Sequence, residues 1–139
     1  MRGDLIDQRP DVVKAWLNAE LDAQLFMADP ENTMAVVAMA EEQTTGFSQE
    51  VLWRAMTGST PEAQGGTPVR NEMAFAITPT AQELIDKATV FLHSIKTIKV
   101  DTLREDAIMT EFTEEILKER GLTAPIGQIL AQPDEAYKP

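Results

Sequence analysis

The chain has 139 residues, 43% of them hydrophobic and 25% charged, a composition suited to one globular domain and too short for two of ordinary size. Twelve Lys and Arg against 23 Asp and Glu leave a formal net charge of -11, a field that repels nucleic-acid phosphates and anionic lipid. With no cysteine, disulfides, thiolate metal sites and cysteine nucleophiles are excluded.

The first element is a helix over Pro10–Ala28. Pro10 suits a first helical turn, where its missing N–H has no partner to lose, and Asp11 places negative charge near the positive end of the helix dipole. Val13, Trp16, Leu17, Leu21, Leu25 and Ala28 recur at helical spacing as the buried stripe, with Lys14, Asn18 and Asp22 on the polar face. Asp29 and Pro30 end this helix and open a second over Glu31–Gln43. Its apolar block from Met34 to Ala40 leaves little polar face and predicts deep burial. Ser48 caps a short third helix, Gln49–Met56, carrying Val51, Leu52 and Trp53.

From residue 57 to 71 the turn residues Gly58, Pro61, Gly65, Gly66 and Pro68 predict a flexible loop. Glu72–Ile77 alternates and reads as a short extended segment, too little for a sheet by itself. Thr78 and Pro79 open a fourth helix, with Thr80 and Glu83 as an alternative capping box. Its stripe is Leu84, Ile85, Ala88, Phe91, Leu92 and Ile95, which leaves Asp86, Thr89, His93 and Lys96 on the wet face. Lys96–Val100 reads as extended. The last helix spans Glu111–Arg120, with acids in its first turn, Lys118 and Arg120 in its last and Gly121 at its stop. Residues 122–139 read as an irregular tail. The fold class is mainly α, about five helices with at most short extended segments, taken as a single helical unit over 1–139.

Little chemistry accompanies these elements. His93 is the only histidine and has no assignable nucleophile or carboxylate to orient it. The acids between Asp101 and Glu115 lack the alternating ligands and turn glycine of a calcium loop, so no metal is expected; Glu114 and Lys118 are expected to pair at i,i+4. Gly65-Gly66-Thr67 lacks the lysine of a phosphate loop. The candidate ligand contacts are Arg70, a cation beside a glycine-rich loop, and Trp53, which together with Trp16 has the surface to line a cavity. No enzyme activity and no cofactor are expected. No run approaches the roughly 20 apolar residues of a membrane span, and no signal peptide is read at the N-terminus.

The order of segments carries a resemblance. Arg2-Gly3-Asp4-Leu5-Ile6, Arg9 to Leu17, Ala28-Asp29-Pro30-Glu31, the Glu42 to Leu52 stretch, Thr78 to Ile85, Phe91-Leu92, Val100-Asp101 and Leu117 to Ile129 together resemble the C-terminal part of an ABC-transporter solute-binding protein of the nitrate/sulfonate/taurine type. The resemblance implies a helical portion of a two-lobed α/β protein, an incomplete domain that is periplasmic in the parent family. It implies a small, anionic solute and an ABC permease as partners. The alternative, from another class, is a stand-alone acidic helical interaction module. In either case, stripes left in water would be costly, since burying one Leu or Trp side chain is worth about 1.5–3 kcal/mol. Trp16, Leu17, Leu21, Leu25, Phe91 and Leu92 are therefore the expected packing or self-association residues, with a homodimer through exposed helix faces as one way to cover them.

Overall fold

The structure, a computed structural model, describes residues 3–138, and of Glu105 the backbone alone. Among the described residues there are six α-helices and one two-stranded sheet, so the fold is mainly α. The chain divides into two compact units, 1–75 with 123–139, and 76–122.

The first unit opens with α1 (Gly3–Gln8) and α2 (Pro10–Ala28), the latter with Pro10 at its first position as expected. Asp29 accepts a hydrogen bond from the Glu31 amide at 2.9 Å and starts a single 3-10 turn, Pro30–Asn32, so α3 begins at Thr33 rather than Glu31 and runs to Gln43. Ser48 caps α4 (Gln49–Thr57) by accepting from the Val51 amide at 3.4 Å.

The sequence reading missed the pairing that organises this unit. Strand β1 is Val69–Met73, not Glu72–Ile77, and β2, Gly127–Leu130, lies inside the tail expected to be irregular. They pair antiparallel, and the Ile126 amide donating to the Met73 carbonyl and the Ala131 amide donating to the Pro68 carbonyl extend the ladder at both ends. A two-stranded ribbon is marginal in water unless a helix covers it. Here α2 and α4 both pack on the ribbon, and α3 packs on α4. The buried apolar side chains are Val13, Leu21, Val37, Trp53, Met73 and Ile129, contributed by five different elements.

Two expectations about burial are corrected here. Trp16 is 57% exposed, because it sits about 100° around the helix from Leu17 while the inward line runs Val13, Leu17, Leu21, Leu25 in steps of four. Only Val37 of the apolar block in α3 is buried, with Met39 exposed. The segment 57–71, expected to be a flexible loop, contains a 3-10 turn at Glu62–Gln64 and the start of β1.

The second unit holds α5 (Pro79–Ser94) and α6 (Glu111–Glu119). Thr78 caps α5 by accepting from the Ala81 amide at 3.2 Å, so the helix starts at Pro79 rather than at the alternative capping box. Its inward face is not the expected stripe. Thr89, placed on the wet face by the sequence reading, is buried, and its hydroxyl is satisfied by donating to the Ile85 carbonyl at 2.8 Å. Leu84 and Phe91 are 60% and 61% exposed. Lys96 is left-handed at φ 60 rather than extended. In α6, Ile116 and Leu117 are buried, and the Glu114 carboxylate accepts from the Thr110 hydroxyl at 2.7 Å in place of the expected Lys118 pair. No helix of the described residues is long and apolar enough to cross a membrane.

Candidate functional site

The C-terminal end of α4 builds the site. Trp53 is buried there, and one turn later the buried Thr57 hydroxyl donates to the Trp53 carbonyl at 3.0 Å. That bond keeps the hydroxyl off solvent while leaving its own lone pairs available. The chain then leaves the helix alongside the segment after β2. The Gln132 amide donates to the Thr57 carbonyl at 2.6 Å, and the Ser59 amide donates to the Gln132 carbonyl at 2.9 Å. These bonds fix where the following residues go. Asp134 meets Arg54 at 3.2 Å, and the Tyr137 ring lies 5.5 Å from the Trp53 ring at a 55° tilt, a favourable aromatic arrangement.

The space enclosed has a volume of about 580 Å³. Small-molecule sites run from about 300 to 1,000 Å³. The end of α2 supplies Met27 and Ala28, and the turn into α3 supplies Pro30, Thr33 and Met34. The ribbon side supplies Gln128, Ile129, Leu130 and Gln132, and the last turn supplies Ala136 and Lys138. Two thioethers, Ile129 and the Trp53 ring give an adaptable apolar wall, since methionine has three rotatable bonds and a polarizable sulfur. Thr33, Gln128 and Gln132 offer hydroxyl and amide groups, and among the described residues the Lys138 ammonium is the one charged side chain on the lining. No carboxylate or imidazole lines the cavity among the described residues. The arrangement is suited to holding a molecule with an apolar body and an anionic end.

The candidates named from sequence fall in different places. Trp53 is on the cavity wall, while Arg70 is exposed and lines a second, polar cleft of about 190 Å³ with Gly58, Thr60 and the Gln64–Thr67 turn. The structure therefore does not bring these two together, and Trp16 does not join Trp53 on the cavity. Of the expected packing residues, Leu21 is fully buried and committed to the core, and Leu17, Leu25 and Leu92 are half-buried. Trp16 and Phe91 lie outside. His93 is exposed. Among the described residues no group of three or more His, Asp or Glu is placed to hold a metal ion.

Sequence reasoning missed Lys138, Gln128, Gln132 and Tyr137, all in the tail. No local pattern marks them; Gln128, Gln132 and Lys138 reach the cavity, and Tyr137 reaches the Trp53 ring, only because β2 pairs with a strand more than 50 residues earlier. A lone tyrosine and a lysine flanked by turn residues were the available signals. No family model, curated protein or solved structure matches the chain.

Proposed function

We propose that this chain is a portion of the solute-binding component of an ABC importer of the nitrate/sulfonate/taurine type, and that it captures a small solute with an anionic head. The observation that carries this reading is the roughly 580 Å³ cavity that sets Trp53, Met27 and Met34 beside hydroxyls, amides and the Lys138 ammonium. The ordered segments that resemble this family support it. The role is capture and hand-over to a permease, without turnover and without a cofactor, in the periplasm as in the parent family.

The chemistry orders the solutes. An apolar wall favours a body of several carbons, and each methylene removed from water adds about 0.8 kcal/mol, roughly fourfold in affinity. Isothermal calorimetry with taurine, nitrate and the series from ethanesulfonate to hexanesulfonate tests the reading. The expected result is saturable binding that tightens along the sulfonate series and weakens with added salt and in Lys138→Gln. An absence of heat across the whole panel contradicts it.

A second reading, an acidic helical interaction module, is favoured by one observation. Trp16, Leu84, Phe91 and Ile95 are each more than half exposed, more large apolar surface than solvent-facing helices usually carry. A homodimer that covers these faces would show as a doubled mass in light scattering, dissociating on dilution. A monomer mass at all concentrations removes self-association from this reading.

A further inference from the structure

We infer that the polar cleft around Arg70 is a second binding site, for a compact tetrahedral oxyanion such as sulfate or phosphate. It does not depend on the solute reading of the larger cavity.

The cleft begins with a loop the sequence marked only as mobile. After α4 the chain closes on itself: the Gln64 and Gly66 amides donate to the Pro61 carbonyl, and the Gly65 amide donates to the Glu62 carbonyl. Gly66 is required by this closure, because a Cβ there would stand 1.7 Å from the Thr60 carbonyl oxygen. The Thr67 hydroxyl donates to the Val69 carbonyl at 2.6 Å and fixes the exit into β1. The loop is thus a held wall.

Arg70 is delivered to that wall by a break in the ladder. Val69 pairs with Leu130 and Asn71 with Ile129, so Arg70 has no residue opposite it and is the extra residue of a bulge. Such bulges bend the strand and re-aim the side chain they carry. One guanidinium nitrogen donates to the Ala55 carbonyl at 3.3 Å, which orients the group. Four of the five N–H donors of a guanidinium remain for a ligand. Among the described residues Arg70 forms no ion pair, and neither Thr60 nor Gln64 spends its side chain on an internal hydrogen bond. The lining is therefore one fixed cation, a free hydroxyl and a free amide, with no carboxylate among them. A planar guanidinium presents two parallel donors to two oxygens of one anion, and such charge-assisted bonds are the strong ones. A volume of about 190 Å³ admits a compact ion and not a drug-sized molecule.

The test is an amide NMR titration of the whole chain with sodium sulfate, against sodium chloride at matched ionic strength. Saturable shifts confined to residues 58–70 are expected, with a dissociation constant in about the millimolar range for a single-arginine site. Arg70→Gln weakens binding at least tenfold while the remaining spectrum stays native. Arg70→Lys, which keeps charge but loses the fork, falls between, and Thr60→Val weakens binding a few-fold. Equal shifts in chloride overturn the proposal, as does undiminished sulfate binding in Arg70→Gln. Shifts that survive Arg70→Gln but vanish in Lys138→Gln place the ion in the larger cavity and overturn it equally.

Discussion

Lys96 ends α5 in a conformation that glycine usually supplies. Its amide donates to the His93 carbonyl and the Thr97 amide donates to the Leu92 carbonyl, with Lys96 itself at φ 60. Those two bonds are the Schellman pair, and its left-handed position strains any residue with a Cβ. Lys96→Gly is therefore expected to raise stability by about 1 kcal/mol in denaturant unfolding. At the other end of the chain, the Arg9 guanidinium grips the Asp11 carboxylate through two bonds, at 3.0 and 2.8 Å. That hydrogen bonding with Arg9 holds the Asp11 carboxyl below the usual carboxylate range. A lowered folded-state pKa gives a contribution that is present above the usual carboxylate range and lost as pH falls through the lowered value. Amide exchange at residues 10–14 is expected to be slower in the wild type than in Asp11→Asn at neutral pH, and the two should converge in strong acid.

At the scale of elements, the β1–β2 ribbon depends on close approach to α2. A Cβ at Gly127 would stand 2.6 Å from the Ala28 Cβ, an atom with no side-chain torsion by which to turn aside. Gly127→Ala is expected to cost about 1–3 kcal/mol, as overpacked sites do, measured by the shift in urea midpoint. The helices were legible in the sequence where caps and turn residues speak locally: Pro10, Asp29, Ser48, Thr78 and Gly121 mark real boundaries. The ribbon was not, because a strand's partner is a non-local fact, and Gly127–Leu130 alone is only four residues with no run of alternation. The face of α5 was misread for a related reason. Leu84, Ile85, Ala88, Phe91, Leu92 and Ile95 form a stripe by count, yet of these only Ile85 and Leu92 are half-buried and the helix turns Thr89 inward, since a threonine that bonds its own preceding turn can be buried at little cost. Leu84→Gln and Phe91→Gln are accordingly expected to change stability by no more than about 0.5 kcal/mol, whereas Ile116→Ala costs about 2–5 kcal/mol. A large loss from Leu84→Gln at high protein concentration alone would instead reveal a self-associated face.

For the whole molecule, the charge and the cavities make different demands. A net charge of -11 repels anions at long range, so an anionic solute must gain its affinity at contact. Arg70 and Lys138 meet that demand at two separate clefts, and both are reached by the same ribbon: one by its bulge, the other by the chain that follows β2. Of the two ligand contacts proposed from sequence, each is found on a cleft wall. The composition of the larger wall was not legible, since it draws on α2, α3, α4 and the tail at once. The most direct test of solute capture uses Trp16→Phe, which leaves Trp53 as the remaining tryptophan and so makes indole fluorescence report the cavity. Titration of that variant with taurine and hexanesulfonate is expected to shift or quench Trp53 emission saturably, with hexanesulfonate the tighter. An emission spectrum unchanged through millimolar concentrations of both would contradict the account.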